Sequence, residues 1–358
     1  MSGRKQHFIP QSLLKGYGQS GKGAKVQVVA YTHERGIFSA ATDGVAAERE
    51  FYSKLAIEGE GETLDDKITA YETSFAQTLT ELRSIDDGGT AEPGKAAEFV
   101  THLVVRNDHL RKLMSSAATN MFNGFSDAFA NQDQAKAMLG LSGQKPSAMF
   151  AEKLDEAYAE NSAMIAMLGM SKQEFNEWAF AQGKATFGAF HAQLMGPLQQ
   201  AFAEMMGKIA DTAADAHRRS LEGTLSPEAR IEKLKELEWR VVHGTEPLIL
   251  PDCVAVAMGA KVEAFPLLLE EANDEADSVY VPLSSEQLLV GSKRSIETPN
   301  NLNDMFAECS WDFFIARDRT PQLENLAQRI RIGANKRVQD TVSDVISNAI
   351  GRFGTEGG

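Results

Sequence analysis

Ten of the thirteen methionines fall between Met114 and Gly223, in a stretch rich in Ala and Phe and poor in β-branched residues. Such a composition supports helices and opposes strands. The flanking regions differ. Val26–Thr32 (VQVVAYT) followed by ERG and Ile37-Phe38 reads as a hairpin, and strand-like runs recur at 239–243, 248–250, 254–258, 279–283, 288–290 and 311–315. This pattern predicts an α+β protein whose small mixed β-sheet is packed by helices, with an all-helical Met/Ala-rich lobe inserted. The organisation it implies is 1–114 as the first half of the core, 115–223 as the helical insert and 224–358 as the second half. Within the insert, helix breaks are expected near Gly140–Pro146, and a fresh start at Ser171.

Two helices are expected to cover the sheet. The first spans 63–84, capped by Thr63, with Ile68, Tyr71, Phe75, Leu79 and Leu82 at helical spacing. After the breaker DDGGTAEPG at 86–94, the second spans 95–114. A helix after Ser226-Pro227, an acidic loop at 270–277 and a long C-terminal helix beyond Pro321 complete the outline.

Charge and length exclude several classes. No apolar run reaches the roughly 18–20 residues that a membrane span requires. MSGRKQHFIP has basic residues with no apolar stretch behind them, so no secretory signal is expected and the cytoplasm is the expected compartment. Cys253 and Cys309 are too few for a disulfide framework and lack metal-site spacing. A net charge of −14 opposes a phosphate-tracking surface over the whole molecule. Two local basic stretches remain: Arg4, Lys5, Lys15, Lys22, Lys25 and Arg35, and then Arg317, Arg319, Arg329, Arg331, Lys336 and Arg337. Through them a nucleic acid or nucleotide is a possible partner.

Four residues stand out chemically. His7 precedes Phe8-Ile9-Pro10, where proline fixes an extended-to-helix junction and presents the imidazole as acid, base or metal ligand, or as a pin for the N-terminus. In FVTHLVVRNDHLRKLM, Phe99, His102, Leu103, Arg106, Leu110 and Leu113 share one helical face, so Arg106 points with the apolar stripe and demands an anionic partner. Glu50 and Asp252 are the expected partners, while Asp108, Arg111 and Lys112 are expected in solvent. Asp252, after Pro251 and between apolar runs, is costly unless paired. Asn300, Asn301 and Asn303 read as an N-cap cluster, His191 as a core histidine, and GQSGKGAK at 18–25 lacks the pattern of a phosphate loop.

On these residues the chain resembles a bacterial family known only as a domain of unknown function, whose members open with H-[FYH]-[IV]-P-x-x-x-L. His7-Phe8-Ile9-Pro10 with Leu14 and Tyr17 matches that opening, Glu50-Phe51-Tyr52 an acidic-aromatic-Tyr element, and Arg106 an inward arginine. Trp239, Asp252, Pro282-Leu283-Ser284 and Asn301 stand where the family has a tryptophan strand, a T-S-D-N-P-like turn, a P-L-S strand and an asparagine-led helix; Leu250–Val254 departs from that turn. The resemblance implies grouping and no mechanism.

Taken with the residue inventory, the expected function is a hydrolase of the nuclease or phosphodiesterase type. His7 acts as acid–base group or metal ligand, Asp252 and Glu50 as acidic partners and Arg106 as phosphate clamp, and a divalent metal is a possible cofactor. The competing class is a non-enzymatic interaction or effector protein, for example in phage defence, that works through the Met-rich lobe.

Overall fold

The computed structural model describes residues 5–20, 25–52, 64–259, 263–268, 275–294 and 298–355. The Thr63 cap, Arg4, Lys22 and residues 270–274 of the acidic loop lie outside them. The chain divides into two compact units, one drawn from 1–114 and 211–337, the other from 115–210 and 338–358. Residues 211–223 thus fall with the flanking unit, and the end of the C-terminal helix with the helical one.

The first unit is α+β. It opens with β1 (Lys5–His7), α1 (Gln11–Leu14), β2 (Gln19–Ser20), β3 (Val26–Thr32), β4 (Gly36–Ala41) and β5 (Ala47–Arg49). Next come α2 (Leu64–Arg83), α3 (Pro93–Val105) and α4 (Asp108–Ala130), in which the chain leaves the unit. Apolar spacing on α2 buries Ile68, Phe75, Leu79 and Leu82, and Phe75 stacks on Phe99 of α3 with ring centroids 4.6 Å apart. Glu92 caps α3, its carboxylate accepting from the amides of Gly94 and Lys95. The expected single helix over 95–114 is corrected here, because it breaks at Arg106-Asn107 into α3 and α4.

The second unit is helical, with α5 (Gln132–Met138), α6 (Ala148–Glu160), α7 (Ser162–Met167) and α8 (Lys172–Met206). Ser171 and Glu174 form a reciprocal capping box that starts α8 where expected. Ala135, Leu141, Leu154, Phe180 and Phe187 form its core, and His191 Nε2 donates to the Phe129 carbonyl, 2.6 Å away.

The chain returns through α9 (Ile209–Gly223) and α10 (Glu228–Lys235) to β6 (Glu238–His243), β7 (Leu250–Pro251), β8 (Val256–Gly259), β9 (Ala264–Pro266), β10 (Ala276–Pro282) and β11 (Gln287–Ser292). Then follow α11 (Leu302–Cys309), β12 (Phe313–Ala316), α12 (Pro321–Leu326) and α13 (Ile332–Thr355). The strands of this unit form separate antiparallel sheets: β6-β11-β10-β8-β9, a second of β2-β3-β12-β7 with β4 also on β3, and the β1–β5 pair. The N-terminal hairpin therefore pairs with β12 and not with the meander. In the meander Trp239 is fully buried, its indole N–H on the Leu234 carbonyl at 2.9 Å. Gly291 lies beneath that ring, where a Cβ would stand 2.8 Å from it, so only glycine fits.

A charged groove and its buried support

The break between α3 and α4 concentrates polarity in the core: Arg106, Asn107, Asp108 and His109 are all buried. Buried polar groups need partners; Arg106, Asn107 and His109 find them in distant segments, and Asp108 in Lys112, one turn further along α4. Asn107 caps α4 by accepting the His109 amide at 2.7 Å, while its side-chain amide donates to the Asp252 carbonyl at 2.5 Å.

Arg106 is 1% exposed. Its Nε donates to the Tyr52 hydroxyl at 3.1 Å and Nη1 lies 3.1 Å from His102 Nε2. Nη2 donates to the His7 carbonyl and, at 2.7 Å, to Glu72 Oε1. The expected partners are thus corrected. Glu72 of α2 takes the charge, because the helix break turns the guanidinium towards α2. Glu50 stands exposed with a left-handed φ of +57°, and Asp252 pairs elsewhere. Arg106 holds the His7 backbone and not its imidazole. The His7 ring is half-buried, with Nε2 3.0 Å from the Gln11 amide nitrogen and Nδ1 buried without a hydrogen-bond partner among the described residues. Burial lowers its pKa, opposed by the Glu72 carboxylate.

Asp252 is saturated with donors. Oδ1 accepts from the Trp311 amide at 2.8 Å and pairs with His109 Nδ1 at 3.0 Å; Oδ2 accepts from the amides of Asp312 and Phe313 at 2.6 and 3.1 Å. Burial alone would raise its pKa, but His109 and the amides outweigh it and hold the carboxyl below its ordinary range. It is a sealed anion that fixes the start of β12 against the start of α4.

These knots support an open groove of about 470 Å³. One face of the second sheet makes its floor: Ala30 and Thr32 of β3, Phe38 of β4, Phe313 and Ile315 of β12. The other face buries the Tyr31–Phe314 stack. Phe8 and residues 44–48 wall it, and at one end stand Asp108, Lys112 and Asp312. Lys112 Nζ bridges the two carboxylates, 2.5 Å from Asp108 and closer still to Asp312. Burial would lower the Lys112 pKa, yet the paired carboxylates win and raise it, so the ammonium stays charged. Arg331 flanks Asp312 at 2.7 Å.

The segments singled out by sequence converge on this groove: Phe8 follows His7, Asp108 follows Arg106-Asn107, and Asp252 holds the amides of Asp312 and Phe313. Of the groups that line the groove, Lys112 and Asp108 are expected in solvent by sequence, and Asp312 carries no signal of its own beyond its place after Trp311. Arg111 is also corrected: its Nε donates to His217 Nδ1 at 2.8 Å and its guanidinium covers the Phe51 ring at 3.5 Å. The i, i+4 spacing of Asp108 and Lys112 and the Trp-Asp step before an apolar strand were the available signals. Asn303 is no cap; buried, it accepts the Ile249 amide and donates to the Pro247 carbonyl, and Asn301 caps without a side-chain bond.

The second basic stretch is occupied by ion pairs, with Arg317 on Glu286, Arg319 on Glu324, Arg329 on Asp304 and Lys336 on Glu263. Among the described residues no helix is long and apolar enough to cross a membrane.

Comparison with curated proteins and with solved structures returns no match. A family model described as "Protein of unknown function (DUF4238)" matches residues 5–328, nearly the whole chain, and the chain belongs to that family.

Proposed function

We propose that this chain is a cytoplasmic hydrolase of the phosphodiesterase type, acting on a small, nucleotide-sized ester in the groove of the first unit. The observation that carries this reading is the Lys112 ammonium held between Asp108 and Asp312 at the end of an apolar cleft of about 470 Å³. An apolar floor with a few convergent charges is the usual design of a small-molecule site. A carboxylate there takes the proton of an attacking water, and the ammonium stabilises charge growing on the phosphoryl oxygens. A divalent metal, where one is used, would add to that stabilisation. The ion-paired basic stretch and the net charge of −14 argue for a small ester over a polymer. Arg106, Asp252 and the His7 backbone act as positioning groups; Glu50, exposed, takes no part.

The test is hydrolysis of bis(p-nitrophenyl) phosphate, cyclic nucleotides and dinucleotides with Mg²⁺, Mn²⁺ or Zn²⁺. Turnover that falls about 10²-fold or more in Lys112→Met, assayed well below the variant's Tm, and is recovered in part by Lys112→Arg, supports the reading; inertness of the native chain towards every substrate ends it.

A second reading rests on the helical unit, which leaves Met164, Met167, Leu168, Trp178 and Phe190 more than half exposed. Large apolar side chains left in solvent are candidate contacts for a partner. An effector that works there tolerates Lys112→Met and loses function on Met167→Asp.

A further inference from the structure

The turn between β7 and β8 brings together donors that are far apart in sequence. His109, Asp252 and Cys253 each offer one ligand atom, and these atoms lie within 4.8 Å of one another in full burial. They span the three donor chemistries that borderline cations prefer: imidazole nitrogen, carboxylate oxygen and thiolate sulfur.

Val254 is buried, β-branched and left-handed at φ +59°, a conformation such residues avoid. Cys253 and Cys309 are both fully buried. Nδ1 of the His109 ring faces Asp252 Oδ1 at 3.0 Å, the gap a cation would enter. Asp252 has three backbone amides apart from His109, so they remain as an outer shell if a cation enters.

We infer that His109, Asp252 and Cys253 form a buried site for a borderline divalent cation, zinc by donor type, that ties α4 to the β7–β8 turn. On binding, the Cys253 thiol releases its proton to solvent and the imidazole binds neutral. The role is structural, since the site is sealed, and it is independent of hydrolysis in the groove.

The experiment uses the full chain produced with zinc and desalted. Elemental analysis is expected to give about one zinc per chain, and a strong chelator to lower Tm by roughly 5 °C or more. Loading with Co²⁺ is expected to produce a thiolate-to-cobalt charge-transfer band, lost in Cys253→Ser. Zinc-loaded native chain without stoichiometric metal, or a cobalt spectrum without that band, overturns the site. Both readouts are taken on the native chain, so a Cys253→Ser variant that fails to fold leaves the test intact.

Discussion

His109 and Asp252, 143 residues apart, are joined by a 3.0 Å hydrogen bond between Nδ1 and Oδ1, with side chains almost wholly out of solvent. This bond sets the first turn of α4 against the first residues of β12, and so places Asp108 and Lys112 opposite Asp312.

Removing that anion strands several donors at once. Asp252→Ala leaves His109 and three backbone amides unpaired in the core, at a cost of about 3–5 kcal/mol. Asp252→Asn keeps the shape and costs less. Urea unfolding checks the order; an alanine variant as stable as the native chain contradicts it.

Acid sensitivity should have a histidine part. The His217 pKa is lowered to about 4, by burial first, with Arg111 adding to it and the Val105 carbonyl opposing. The unfolded chain protonates this ring near its ordinary value of about 6.5, so stability is complete above that pH. It declines as pH falls from 6.5 towards 4, by at most about 1.4 kcal/mol per pH unit. His217→Gln should flatten this limb of a stability–pH curve. The Asp252 carboxyl, also lowered, gives stability that is present above about pH 3.9 and lost as pH falls through its folded value.

Gly291→Ala drives a methyl group into the Trp239 ring, 2.8 Å away. A loss of about 1–3 kcal/mol is expected, with a changed tryptophan emission spectrum. An unperturbed melting curve contradicts the close approach.

Much of the fold was legible where periodicity is strong. The Ile68–Leu82 stripe, the 26–38 hairpin and the Ser171 start each follow a local rule. Sheet membership was not, since whether Val26–Thr32 pairs with Phe313–Ala316 or with the meander depends on contacts that no local pattern encodes. The site was half legible. Buried charges announce themselves by interrupting apolar runs, so Arg106 and Asp252 were found. Asp108 and Lys112 read as ordinary surface charges until the helix break at Arg106-Asn107 is known, and Asp312 until Asp252 is seen to hold its amide. Glu72 was hidden on the polar side of α2, and Cys253 beside His109 had no sequence spacing to reveal it.

The most direct measurement is steady-state turnover of the best ester from the substrate panel by native chain, Lys112→Met and Phe38→Ala, with Tm recorded for each. If the groove is the working site, Lys112→Met loses kcat by about 10²-fold or more at a temperature where it is folded, and Phe38→Ala raises KM with kcat nearly kept and melts within a few degrees of the native chain. Full activity in both variants places any hydrolysis elsewhere and contradicts the groove as its seat.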